Sequence, residues 1–156
     1  MLCLVPTPIG NLEDISKRSL RVLEEAELIF CEDTRVTKKL LNLLGEKNNL
    51  DFSNKEFKSF HSHNENQILQ TLDKETFTKN VVYVSDAGMP CVSDPGATLV
   101  DFCIKNQIPY DVLPGANAIL TAYAMSGFSH TTFSFYGFLD HKGASRAAKL
   151  NDALND

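Results

Sequence analysis

Short apolar runs that alternate with segments of helical periodicity constrain this chain more than any other feature. Leu2 to Val5, Glu27 to Cys31, Phe57 to Phe60, Val81 to Val84 and Tyr110 to Leu113 read as strands. Between them, Ile15, Leu20, Val22, Leu23 and Ala26 recur at helical spacing from Asp14 onward. Val36, Leu40, Leu41, Leu43 and Leu44 do the same in a segment that Thr34 can cap and Gly45 is expected to end. Ile68, Leu69 and Leu72 mark a helix over Glu65 to Phe77, with Asn64 as its expected cap, and helices follow at Ala97 to Lys105 and Ala116 to Met125. Phe133 to Phe138 reads as the start of a further strand. Strands alternating with helices in this way predict an α/β fold, a mostly parallel sheet with right-handed crossovers and helices on both faces. Val81 to Val84, the most apolar run, is expected at its centre.

A chain of 156 residues that is 43% hydrophobic can bury one real core, so one domain plus a remainder is the simplest organisation. The boundary is expected near residue 114, with 1–114 an N-terminal α/β domain and 115–156 the beginning of a second, incomplete one, because His141 to Asp156 is polar and weakly helical with no sheet left to cover. A net charge of −5 argues against wrapping nucleic acid through bulk positive charge and leaves room only for a local basic face. Cys3, Cys31, Cys91 and Cys103 have no metal-ligand spacing and read as reduced structural thiols. The apolar start of the chain is too short for a signal segment, and no stretch reaches the roughly 20 apolar residues that span a bilayer. A cytoplasmic protein without a membrane partner is the expectation.

The loops carry the chemistry. Ser85-Asp86-Ala87-Gly88-Met89-Pro90 and Ser93-Asp94-Pro95-Gly96 lie back to back after Val81 to Val84. A strand emptying into such loops sets close-approach backbone and a carboxylate at the carboxyl end of a sheet, where open α/β folds bind ligands. A pair of tight turns is the plainer reading of the same residues. Pro8, Ile9 and Gly10 follow the first strand and would share that edge, without the spacing of a Walker or dinucleotide loop. Cys31-Glu32-Asp33-Thr34-Arg35 opens a helix; Asp33 or Thr34 caps it in one reading, while Arg35, badly placed for the helix dipole, invites a phosphate or carboxylate. His61 and His63, two apart in Phe60-His61-Ser62-His63-Asn64-Glu65, suit substrate contact or proton handling better than metal, since no third ligand is spaced for it. Pro114-Gly115-Ala116-Asn117-Ala118 opens a small-residue helix against which a ligand can lie.

Taken together, Pro6 to Ser16, Cys31 to Arg35, Phe60 to Glu65, Val84 to Gly96 and Leu113 to Ile119 resemble the small-subunit ribosomal RNA cytidine 2′-O-methyltransferases of the tetrapyrrole methylase superfamily, in order and nearly without gaps from Leu4 to about Gly143. The resemblance implies S-adenosyl-L-methionine as cofactor, 16S rRNA in the small ribosomal subunit as substrate, and a homodimer of two-domain subunits. It assigns cofactor contacts to Pro8, Gly10, Asp86, Ala87, Gly88, Met89, Asn117 and Ala118, with Ala87-Gly88 departing from the superfamily's usual Gly-Asp-Pro spelling. Such proteins run to nearly twice this length, so this chain is expected to be a weakly active or inactive part of one.

For transfer to a ribose hydroxyl, the candidate bases are Asp33, His61, His63 and Glu65. RNA contacts are expected from Arg35, Lys38, Lys39 and Asn64, with Lys17, Arg18 and Arg21 as a second basic patch. Two other readings stand beside this one: methylation of a tetrapyrrole or other small acceptor, and a noncatalytic RNA-interaction domain.

Overall fold

The structure, a computed structural model, describes residues 1–155. Five strands form one sheet: β1 (Leu2–Leu4), β2 (Leu28–Cys31), β3 (Glu56–Ser59), β4 (Val81–Val84) and β5 (Tyr110–Val112). Their order is β3-β2-β4-β1-β5 and every pairing is parallel. The apolar runs that become β1, β2 and β4 are wholly buried, whereas the edge strands β3 and β5 alternate in exposure. Strands covered on both faces need an unbroken apolar run, and edge strands do not.

The helices are α1 (Lys17–Glu25), α2 (Thr34–Asn48), α3 (Glu65–Thr71), α4 (Ala97–Lys105), α5 (Ala118–Met125) and α6 (Ala144–Asn155). Leu23 of α1 and Leu41 and Leu44 of α2 pack with Val5, Ile29, Cys31, Val82 and Val84 on one face of the sheet. Ile68 and Leu69 of α3 and Leu99 and Cys103 of α4 cover Leu4, Phe30, Phe60 and Tyr83 on the other. There the Phe60 ring meets Phe30 and Tyr83 edge to face, at centroid distances of 5.9 and 5.8 Å. The connection after β2 therefore runs to one face and that after β4 to the other, although the two strands are neighbours. Diverging connections open a crevice at the carboxyl ends of such a pair.

The described chain divides into two compact units, Met1–Ile119, which contains the sheet, and the residues from Leu120 onward. In the second unit α6 forms as the composition predicts, and the Tyr123 and Phe133 rings lie 5.0 Å apart. Phe133 to Phe138 is not a strand. A strand needs a neighbour for its backbone groups, and among the described residues of that unit there is no strand to pair with it. No helix among the described residues is long and apolar enough to cross a membrane.

Three local readings change. Gly45 does not end α2, which continues to Asn48 and is closed by Asn49 in the left-handed conformation (φ 55°). Gly45 instead admits the returning chain, since a Cβ there would stand 2.7 Å from the Leu50 carbonyl oxygen. The helix expected over residues 65–77 stops at Thr71, because Asp73 starts a separate 3-10 turn by accepting the Thr76 N–H at 3.0 Å. Asn64 precedes α3 but makes no side-chain cap; its amide spans the loop, accepting the His61 N–H at 2.8 Å and donating to the Ser59 carbonyl at 3.0 Å.

Gly45→Ala tests the close approach. The added methyl has to push backbone at Leu50 rather than a flexible side chain, so urea unfolding is expected to show a loss of about 1–3 kcal/mol. An unchanged midpoint would contradict it.

Candidate functional site

Parallel pairing sends every strand's exit loop to one edge of the sheet. The first and fourth loops are tied there by backbone: the Thr7 N–H donates to the Gly88 carbonyl and the Gly88 N–H to the Thr7 carbonyl, both at 3.0 Å. Their side chains reinforce the tie, with the Thr7 hydroxyl donating to the Ser85 carbonyl at 3.1 Å and the Ser85 hydroxyl to the Gly88 carbonyl at 3.2 Å. Gly88 holds φ 88°, where a Cβ would be strained and would also press Ile9 Cγ2 at 3.3 Å. The fifth loop closes on the first, for a Cβ on Gly115 would stand 2.7 Å from Pro6 Cβ. Pro8, Gly10 and Asp86 to Met89 thus converge, and Asn117 and Ala118 follow at the start of α5.

The second loop joins this assembly through Asp33, whose N–H donates to Asp86 Oδ1 at 3.2 Å across the diverging strands. The Asp33 carboxylate itself caps α2 by accepting the Arg35 N–H at 2.8 Å and takes the Arg35 guanidinium at 2.7 Å. Hydrogen bonds from Arg35 hold its carboxyl down at about 2, which makes Asp33 a poor proton acceptor. Arg35, at first sight unpaired, has a partner two residues away yet keeps 89% of its side chain exposed.

Glu32, Asp86 and Asp94 form a carboxylate cluster at the crevice. Burial pushes all three carboxyls up. Neighbouring negative charge adds to each rise, from Asp86 and Asp94 on Glu32, from Asp33 on Asp86 and from Asp86 on Asp94. The Asp33 N–H offsets part of the rise at Asp86. In the third loop, the Asn64 amide fixes His61, and the His63 N–H donates to His61 Nδ1 at 3.3 Å, with the two rings 5.9 Å apart. Glu65 Oε2 accepts the Thr98 hydroxyl at 2.8 Å, linking α3 to α4. Glu32, Ser62, Glu65, Asp94 and Thr98 line an open cleft of about 380 Å³ between the third and fourth loops.

Lys38 and Lys39 are exposed one turn into α2, with the Lys38 ammonium 5.0 Å from the Phe57 ring centroid. Arg18, of the second basic patch, is not brought to this edge. It pairs with Asp111 and shares a pocket with Met1, Asn80 and Val81, residues that begin or precede β1 and β4 at the opposite edge. Sequence reasoning passed over Thr7, Tyr83 and Ser85, and it read Glu32 and Asp94 as parts of separate motifs. Glu32 and Asp94 stand in quoted motifs, but only the sheet order makes them neighbours.

The family model described as Tetrapyrrole (Corrin/Porphyrin) Methylases matches residues 1–156. The Ribosomal RNA small subunit methyltransferase I of Campylobacter fetus subsp. fetus is 55% identical, over 99% of this chain and 58% of its own length. That of Helicobacter pylori is 47% identical, over 99% of this chain and 56% of its own. The expected resemblance is thereby met, although the chain spans little more than half the length of these curated relatives. A crystal structure of uroporphyrin-III-C-methyltransferase from Thermus thermophilus superposes with a TM-score of 0.54 at 22% identity, covering 80% of this chain and 52% of that one. Its likeness supports the predicted parallel α/β architecture.

The carboxylate cluster makes stability depend on pH. With raised carboxyls, the folded chain holds protons more tightly than the unfolded chain, so stability falls as pH rises through the raised values and returns as pH drops below them. Asp33, Glu13 and Asp51 act in the opposite sense, and their lowered carboxyls lose stabilisation as pH falls from the ordinary carboxylate value through the lowered ones, below that window. Lowering pH from above the raised values toward the ordinary carboxylate range is expected to raise the melting temperature, and Asp94→Asn to flatten the rise. Equal slopes in both proteins, followed by circular dichroism, would contradict the coupling.

Proposed function

The chain belongs to the tetrapyrrole (corrin/porphyrin) methylases, and from that membership we propose that it is part of an S-adenosyl-L-methionine-dependent enzyme, a cytoplasmic homodimer that methylates a cytidine 2′-oxygen in 16S rRNA of the small ribosomal subunit. The observation that carries the reading is the tie between the first and fourth loops, Thr7 to Gly88, at the edge where the diverging connections leave the sheet. In this reading residues 1–114 are the N-terminal domain and 115–156 begin the second. The name borne by the curated relatives supports ribosomal RNA as the substrate class.

The residues present fit the cofactor. Gly88 leaves backbone bare where a side chain would crowd Ile9, and Gly10, at φ 144°, has open space where its Cβ would be. Pro8, Gly10, Ala87, Gly88 and Met89 would contact it, Asp86 would accept hydrogen bonds from its hydroxyl or ammonium groups, and Asn117 and Ala118 would complete the wall. When bound, it supplies a methyl group on an electrophilic sulfonium. The chain's own part is to orient the ribose 2′-hydroxyl in line with that methyl and to receive its proton as the carbon–oxygen bond forms. Asp33 is held ionised by Arg35, and Glu65 has one oxygen engaged by the Thr98 hydroxyl, leaving the other to accept a hydrogen bond from the substrate. His63, exposed on the third loop, is therefore the proton acceptor we favour, and His61, whose Nδ1 already accepts the His63 N–H and whose backbone N–H is held by Asn64, positions that loop. Arg35, Lys38 and Lys39 would take phosphates, and Asn64 would hold the third loop against the nucleotide.

Calorimetric titration of S-adenosylhomocysteine into the chain is expected to show binding that Asp86→Ala abolishes; binding indifferent to Asp86 would overturn the cofactor site. Methyl transfer to unmodified small subunits by a protein that carries this chain together with a complete second domain is expected to create an alkali-resistant linkage at a cytidine, and incorporation into a tetrapyrrole instead would refute the RNA reading. Arg35→Ala and Lys38→Ala should each weaken RNA binding and reduce the slope of log affinity against log salt by about 1. A slope that stays put would remove them from the interface.

A further inference from the structure

The cleft between the third and fourth loops has a composition that phosphate-directed binding does not explain. Glu32, Glu65 and Asp94 bring three carboxylates to its walls, Ser62, Ser93 and Thr98 bring three hydroxyls, and neither lysine nor arginine lines it among the described residues. Such a wall repels a phosphodiester and accepts from a neutral group rich in donors. The cations stand outside it, on the first turns of α2.

A second observation points to an occupant. Tyr83, at the end of the central strand, is wholly buried and its hydroxyl has no hydrogen-bond partner. Burial pushes that hydroxyl's pKa far up and the charges of Glu32, Cys91 and Asp94 add to the rise, so two of the cleft's carboxylates lie within electrostatic reach of the hydroxyl. Its ring lies directly behind the cleft wall, because a Cβ on Gly96 would stand 2.6 Å from Tyr83 Cε1. A buried donor left unpaired is costly, and a group seated in the cleft gives the polar atoms around it a reason to be kept.

Resting on the RNA reading above, we propose that this cleft receives the base of the acceptor nucleotide and distinguishes cytosine from uracil by its exocyclic amine, which donates to Glu65. One Glu65 oxygen is pinned by the Thr98 hydroxyl at 2.8 Å, so the side chain is preset and its other oxygen is the acceptor. Uracil presents a carbonyl oxygen at the same ring position, and two acceptors facing each other repel. The phosphates run outward to Arg35, Lys38 and Lys39, which separates the part of the substrate that is chosen from the part that is merely held.

Titrations of cytidine, uridine and S-adenosylhomocysteine into the chain, followed by amide chemical shifts, test this. Cytidine is expected to shift Ser62, Glu65, Ser93 and Ala97 and to bind at least about tenfold more tightly than uridine. Glu65→Gln, which adds a donor, should bring the two affinities together, and Thr98→Val, which frees the carboxylate while preserving shape, should reduce the preference. Equal affinities in the unaltered chain, no saturable shift with either nucleoside, or shifts confined to other residues would overturn the proposal. Shifts of the cleft amides by S-adenosylhomocysteine would also overturn it, by giving the cleft to the cofactor. Cytidine selectivity without S-adenosylhomocysteine binding at Asp86 would uphold the base site and refute the methyltransferase reading, and the reverse result would refute this inference alone.

Discussion

Parallel pairing is the constraint on which everything else in this chain depends. A parallel neighbour cannot be reached by a tight turn, so each strand must hand over to a crossover and each exit loop must land on the same edge. Five loops that are far apart in sequence become one surface for that reason. The order β3-β2-β4-β1-β5 then does the finer work, because β2 and β4 are adjacent yet send their connections to opposite faces. The Thr7–Gly88 and Asp33–Asp86 hydrogen bonds tie the first, second and fourth loops together at that point.

This edge is electrostatically divided. Glu32, Asp86 and Asp94 crowd the crevice, where burial and mutual repulsion disfavour their ionised forms, while Arg35, Lys38 and Lys39 stand at the solvent side of α2. Stability alone would not select a half-buried trio of like charges. The trio and the basic turn together offer hydrogen-bond acceptors inside and positive charge outside, a division that suits a substrate with a neutral, donor-bearing part and an anionic backbone. Arg35 belongs to both regions: it holds Asp33 ionised and at the same time leaves most of its guanidinium exposed.

Much of this was legible residue by residue. The buried runs that form β1, β2 and β4 carry their own signal, and α4 falls on the predicted Ala97 to Lys105 because periodicity and the preceding Pro-Gly agree. The failures share a cause. Gly45 looked like a terminator, but its missing side chain serves a contact with Leu50 that closes only when the chain turns back. Asn64 looked like a cap, but its amide found better partners at Ser59 and His61 across the loop. Phe133 to Phe138 has strand composition without a strand beside it among the described residues of its unit.

The sequence by itself determined the kind of layers, the loops that bear reactive groups and the family, since those follow from short-range periodicity and from residue order. Tertiary structure alone decided which reactive groups meet. Glu32 and Asp94 lie in different motifs, and only the neighbouring of β2 and β4 brings their charges together. The same pairing set the Asp33 N–H against Asp86, while the meeting of α3 and α4 preset Glu65 by Thr98 and the packing of the sheet enclosed the Tyr83 hydroxyl. Electrostatic and hydrogen-bond energies depend on separations of a few ångströms, and for residues tens of positions apart those separations exist only after the sheet has set its strand order.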